Sequence, residues 1–183
     1  MFSVIIATSE SERALVPTLA ALVPGAMAGV VREVIVADAG SHDLTAEVAD
    51  IAGCRFFSSS QSLGNRLKEA AAGARGTWLM FLRPGVVPGP AWIDDVVAFI
   101  DEAERKDKPR AAVFDTGARD FRTLIRRSLG FLPATEQGLI IAKSFYDELG
   151  GHSGTSNPEN ALLRRIGRSR IVTLRVAVTG LDI

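Results

Sequence analysis

The sequence predicts an α/β domain with a central, mostly parallel sheet. Three observations predict it. Short apolar runs rich in β-branched residues recur down the chain, helix-period segments separate them, and turn residues punctuate the junctions. That alternation is the pattern of successive βαβ units.

Taken in order, Ser3-Val4-Ile5-Ile6-Ala7 opens the sheet within a strand near 2–7, and a helix follows near 10–22, with Pro24-Gly25 read as its stop. Val34-Ile35-Val36-Ala37 marks a strand near 32–37. Ser41 and Asp43 can cap the helix expected over 43–52. A strand near 54–58 and a helix near 62–75, closed by Gly76, come next. Trp78-Leu79-Met80-Phe81-Leu82 is a buried-type strand within 77–82. Pro90 suits the first turn of a helix over 90–106, and a strand is expected at 111–115. In 118–130, Phe121, Leu124, Ile125 and Leu129 share one face, with Arg122, Arg126 and Arg127 largely opposite, so this segment reads as an amphipathic basic helix. A short strand at 138–142, a helix at 143–149, a Gly/Ser-rich loop at 150–156, a helix at 158–166 and a strand at 171–178 complete the chain.

A chain of 183 residues with 47% apolar content is the size of one domain with a proper core. Lys plus Arg and Asp plus Glu are equal at 21 each, so no net field recruits a polyanion and nucleic acid is not expected as a partner. Cys54 is the only cysteine, which excludes an internal disulfide and a multi-cysteine zinc site and leaves core packing as its role. The longest apolar stretch, 20–31, is interrupted by Pro24, Gly25 and Gly29 and falls short of a membrane span; with no positively charged leader, a cytoplasmic protein is expected.

Asp38 stands just past a strand end, where open α/β sheets place their ligand crevice, and can accept a hydrogen bond from a base or ribose. An Asp followed by Gly and Ser is equally a turn and helix cap. Thr8-Ser9-Glu10 reads as a helix N-cap with an acid in the first turn. Arg66 and Lys68 read as solvated charges. His42 and His152 fall in loops and are expected at the surface. Neither Gly-x-Gly-x-x-Gly nor a Gly-Lys-Ser/Thr phosphate loop is present, which removes the usual dehydrogenase and nucleotidase readings.

The order of Ser3 to Thr8, then Val34 to Asp43, then Trp78 to Gly85 resembles the nucleotide-sugar half of family 2 glycosyltransferases. The resemblance implies a GT-A-like fold over the whole chain, with a nucleotide-binding half at 1–115 and an acceptor-side half at 116–183. It implies a nucleotide-diphosphate sugar as donor and an unknown acceptor, joined by direct inverting displacement. Asp38 would contact the base, Thr8 and Glu10 would lie along the nucleotide, and Arg66 would open the helix that approaches the diphosphate, where the family's Asn is Lys68.

In that family the strand matching 78–82 ends in an Asp-x-Asp type motif that holds a divalent metal. Here it runs into Arg83-Pro84-Gly85, and a guanidinium offers no oxygen ligand, so no metal is expected at the usual place. Arg83 would either face the diphosphate as its counter-charge or point to solvent. Later, Glu136-Gln137-Gly138 resembles the family's Asp-Gln-Gly segment, with Glu136 for the Asp. Pro158-Glu159-Asn160 resembles its Glu-Asp pair, whose Asp is the general base. Asn160 takes that place and an amide accepts no proton at neutral pH. Glu159, one residue and about 100° away around the helix, reads as a first-turn acid on the helix dipole. Family members often follow the last strand with Thr-Ser-x-Arg, where this chain has Thr179-Gly180-Leu181-Asp182. The competing expectation is a non-catalytic nucleotide-binding or scaffold module that meets a protein or a membrane surface peripherally through 118–130.

Overall fold

A computed structural model describes residues 1–106, 108–115 and 138–180. The basic segment 118–130 and Glu136 lie outside the described residues. Among the described residues eight strands order as β3-β2-β1-β4-β7-β6-β8-β5, where β1 is Phe2–Thr8, β2 Val31–Asp38, β3 Arg55–Ser58, β4 Trp78–Leu82, β5 Val87–Pro88, β6 Ala111–Asp115, β7 Leu139–Ala142 and β8 Ile171–Thr179. Pairs β1–β2, β2–β3, β1–β4 and β6–β8 are parallel; β4–β7, β6–β7 and β5–β8 are antiparallel. The result is a mixed, mostly parallel sheet with helices on both faces.

Strand periodicity explains the two cores. Along β1, Phe2, Val4 and Ile6 enter one apolar cluster while Ile5 enters the other, and β4 divides Trp78, Met80 and Leu82 from Leu79 and Phe81 in the same way. Helices α1 (Glu12–Met27), α2 (Thr45–Ile51) and α4 (Trp92–Lys106) cover the first face through Leu15, Leu22, Ala49, Trp92, Val96 and Phe99. Helices α3 (Leu63–Ala72), α5 (Lys143–Glu148) and α6 (Pro158–Ile166) cover the second through Leu67, Ala71, Phe145, Tyr146, Leu162 and Ile166. Both faces being covered, β4 is buried along its whole length.

The expected strands and helices are present in the described regions, with boundaries shifted by a residue or two except in three places. Helix α3 begins at Leu63 and ends at Ala72, inside the expected 62–75. Helix α1 runs through Pro17 and Pro24 to Met27. Gly25 is not a stop: a Cβ there would lie 2.6 Å from the Trp92 ring, so this glycine is the seat for the indole, whose Nε1 donates to the Ala21 carbonyl at 3.1 Å. The chain turns only at Gly29, where φ is +69°. The two-residue β5 was not expected either; it pairs with the end of β8. Cys54 is half-buried against the first core, and burial pushes its thiol pKa up to about 11, consistent with packing rather than reactivity. Among the described residues no helix is long and apolar enough to cross a membrane.

Candidate functional site

The parallel register sets the site. Thr8 pairs with Asp38, and Ile6 with Leu82, so the C-terminal ends of β1, β2 and β4 lie along one edge of the sheet. Chain leaves that edge three times, as 9–11, 39–44 and 83–86, and these loops form the crevice that open α/β sheets present to ligands.

Asp38 organises the first two loops. It is 1% exposed, and both oxygens are engaged. Oδ1 accepts from Thr8 Oγ1 at 2.8 Å and from the Ser41 hydroxyl; Oδ2 accepts the backbone N–H groups of Gly40 and Ser41, both at 2.7 Å. Burial by itself raises the carboxyl pKa, but the donations from Ser41, Thr8 and Gly40 outweigh it and hold the group below the usual carboxylate range. Thr8, also buried, is thereby locked against Asp38 rather than turned to solvent.

Glu10 carries the second clasp. Its φ of +48° is the one left-handed value among described non-glycine residues. That backbone sends its N–H to Ser41 Oγ at 2.8 Å, while its carboxylate accepts the N–H groups of His42 at 3.0 Å and Asp43 at 3.1 Å. Asp43 answers by accepting the N–H of Glu12 at 2.9 Å. Asp43 also caps its own helix as expected, Oδ1 accepting the N–H of Thr45 at 3.0 Å, so the capping acids act both locally and across the loops.

Arg66 is no solvated charge. It is 6% exposed, and Nη1 donates to the Thr8 carbonyl at 3.1 Å and to that of Ala37, stapling the ends of β1 and β2. Its Nε is the one fully buried side-chain nitrogen or oxygen among the described residues that has no partner. Lys68, two residues on, is exposed. Helix α3 reaches this edge because Gly64 has no side chain: a Cβ there would sit 1.8 Å from the Ser153 carbonyl oxygen.

At the third loop, Pro84 and Gly85 occupy the central positions of a tight turn closed by Val86 N–H on the Arg83 carbonyl at 3.2 Å. Gly85 has φ +88°, which matches the Pro-Gly signature of a type II turn. Its N–H is pinned to α1 by the Ala14 carbonyl and Thr18 Oγ1, at 2.8 and 2.9 Å. Arg83 reaches Glu159 at the start of α6: Nε donates to Oε1 at 3.3 Å, and Nη2 donates to Oε2. Glu159 therefore interacts first with a guanidinium, not only with its own helix dipole. The adjoining pocket is lined by Phe81, Arg83, Leu139, His152, Glu159 and Leu163, among others.

Asn160 follows Glu159 in the first turn of α6, where its backbone N–H donates to Asn157 Oδ1 at 3.2 Å. Glu136, the remaining expected catalytic position, lies outside the described residues. Among the described residues no group of three or more His, Cys, Asp or Glu is arranged to hold a metal ion. At the Arg83 corner the donor set does not fit a hard divalent cation: the guanidinium supplies no oxygen, and both Glu159 oxygens face it.

His152 departs from the expected surface position. It is buried, with Nδ1 2.9 Å from Tyr146 Oη, and its ring meets Phe81 edge-on at 4.8 Å between centroids. Desolvation, reinforced by the charge of Arg165, lowers its pKa to about 3, so it is neutral at ordinary pH. No spacing rule links Tyr146 to His152. The one local signal is Gly151, at φ +66°, where a Cβ would press on the tyrosine ring at 2.8 Å.

The sheet order, the layers and the crevice define a GT-A-like glycosyltransferase fold. No family model and no curated protein sequence matches the chain. Solved structures do. S. aureus TarS (residues 1–349) aligns with a TM-score of 0.76 at 19% identity, over 97% of this chain and 59% of that one. The same protein in complex with UDP-GlcNAc gives 0.74 at 18% identity, over 97% and 57%. Glucosyl-3-phosphoglycerate synthase from Mycobacterium tuberculosis, in complex with Mn2+, UDP and glucosyl-3-phosphoglycerate, gives 0.69 at 20% identity, over 94% and 68%. The chain thus spans less than two thirds of the TarS structures it resembles.

Proposed function

We propose that this chain is a family 2 glycosyltransferase-like protein that binds a nucleotide-diphosphate sugar in the crevice at the ends of β1, β2 and β4 and passes the sugar to an acceptor. The observation that carries this reading is the pair of adjoining devices at one sheet edge. The Thr8–Asp38–Arg66 assembly shapes the loops for a nucleotide, and beside it the Arg83 corner offers a fixed cation. The complexes of the two similar enzymes with UDP, UDP-GlcNAc and UDP-glucose support a sugar nucleotide as the ligand.

In this reading Asp38 and Glu10 act by holding the 9–11 and 39–44 loops together, so that backbone groups and the Arg66 edge meet the base and ribose. Arg83, oriented by Glu159, sits where diphosphate charge would fall, and a planar guanidinium pairs well with phosphate oxygens. Binding then needs no divalent metal. The expected result in a thermal-shift panel of nucleoside diphosphates and their sugars is stabilisation that is unchanged by manganese or a chelator. No shift with any nucleotide overturns the reading; a manganese-dependent shift overturns the account of the Arg83 corner.

A second reading is a non-catalytic binding module, and a specific observation favours it. Glu159 is committed to Arg83, and Asn160 offers an amide where a base would stand, a loss that typically lowers rate about 100- to 10,000-fold. Release of free nucleotide from a bound sugar nucleotide, followed over hours with a panel of hydroxyl acceptors, separates the two: turnover supports transfer, and binding without turnover supports the module.

A further inference from the structure

One group in the pocket is not used by that reading. His152 is 2% exposed and lines the pocket beside Arg83 and Glu159. Its Nδ1 faces Tyr146 Oη at 2.9 Å, and the same hydroxyl accepts the His152 backbone N–H at 3.0 Å. Tyr146 is 1% exposed, so its single hydroxyl proton has no water to turn to. Donated to Nδ1, that proton satisfies both side chains. If Nδ1 carried the proton instead, the tyrosine O–H would be stranded in the core, a large penalty for a buried donor. A neutral imidazole that accepts at Nδ1 carries its hydrogen on Nε2. Nε2 makes no hydrogen bond within the described residues, yet the only sealed and unpartnered side-chain nitrogen or oxygen among them is Arg66 Nε. Nε2–H is therefore not sealed, and His152 is one of the residues that line the pocket.

We infer that His152 is a sugar-positioning residue: its Nε2–H donates to an oxygen of the sugar that the nucleotide carries, in the pocket that it lines beside the Arg83–Glu159 pair. The inference rests on the nucleotide-sugar reading above. The cavity, about 20 Å³, has room for one sugar hydroxyl, which accepts the Nε2–H between the apolar walls of Phe81, Leu139 and Leu163. The imidazole is preorganised by Tyr146 on one side and by Phe81 edge-on at 4.8 Å, so ordering it costs little on binding. Burial keeps it neutral, and with Nδ1 engaged by Tyr146 and the hydrogen on Nε2 neither nitrogen is open to take a proton from an acceptor. A buried donor aimed at a substrate oxygen also discriminates, because a ligand lacking that oxygen leaves the N–H unpaired.

The test is isothermal titration of the full chain with UDP, UDP-glucose and UDP-GlcNAc. Wild type is expected to bind at least one sugar nucleotide more tightly than UDP. His152→Phe should keep UDP affinity and lose roughly 3- to 10-fold of the preference for the sugar nucleotide, the worth of one ordinary hydrogen bond. His152→Gln, which still places an N–H donor near the Nε2 position, should recover part of it. Thermal denaturation of each variant shows that it is folded, and UDP affinity serves as the internal control. A His152→Phe variant that retains the full preference overturns the inference and leaves the nucleotide-sugar reading standing. So does a wild type that binds UDP and its sugars equally. A wild type that binds no nucleotide overturns the functional reading and the inference with it.

Discussion

Arg83 and Glu159, 76 residues apart in sequence, meet as an ion pair across the crevice, with Nε to Oε1 at 3.3 Å and a second bond from Nη2 to Oε2. The pair joins the end of β4 to the start of α6. Its side chains are 41% and 18% exposed, so solvent screens part of the attraction. A double-mutant cycle of Arg83→Ala and Glu159→Ala, read by urea denaturation, should give a coupling energy of about 1 kcal/mol. A coupling near zero would mean that the pair does not hold in solution.

Asp38→Ala removes the acceptor for Thr8, Ser41 and Gly40 at once and leaves those donors without their partner. A cost of about 2–4 kcal/mol is expected, measured by chemical denaturation, together with loss of nucleotide binding. The folded pKa of Asp38 lies below its unfolded value of 3.8, so its contribution is present above that pH and is lost as pH falls through the folded value. Asp38→Asn should therefore be least costly, relative to wild type, at the acid end.

His152 gives a pH dependence at milder acidity. Its folded pKa of about 3 lies below the unfolded 6.5, so between those values the unfolded chain binds the extra proton. The stabilisation is full above pH 6.5 and declines as pH falls toward 3, at no more than about 1.4 kcal/mol per pH unit. His152→Phe should flatten the decline between pH 6 and pH 5, above the range where carboxylates such as Glu33 and Asp38 begin to contribute. An unchanged slope in that interval would mean that the imidazole is not held neutral by burial.

Gly64→Ala places a methyl group 1.8 Å from the Ser153 carbonyl oxygen, a backbone atom that cannot swing aside. The 150–156 loop must move away from α3 or α3 from the sheet edge. A loss of about 1–3 kcal/mol is expected, with weaker sugar-nucleotide binding because His152 and Arg66 sit on the two sides of that contact. Calorimetry on the variant checks both, and a silent Gly64→Ala would show that the loop is free to shift.

Much of the fold was readable from local chemistry. The β-branched runs of β1, β2 and β4 and the alternation of their faces follow from strand periodicity, and Thr8, Asp38 and Arg83 were placed at strand ends because apolar runs stop there. Less readable were features whose cause is a distant contact. Pro24-Gly25 looks like a helix stop until Trp92 is known to lie on Gly25. Arg66 looks like a surface charge until the carbonyls of Thr8 and Ala37 are brought to it. His152, in a Gly/Ser-rich loop, looks exposed until Tyr146 and Phe81 close over it.

By itself the sequence determined the layered α/β architecture and the chemical types at the crevice, including a guanidinium at residue 83 and an amide at residue 160, because hydrophobic periodicity and side-chain chemistry are local properties. Only the tertiary structure decided what those groups face. Arg83 pairs with Glu159, Asp38 places its oxygens on Thr8 and its own loop, and His152 is buried against Tyr146 and Phe81. Charge pairing and burial depend on which residues the sheet order brings within a few ångströms, and nothing in the spacing along the chain sets that.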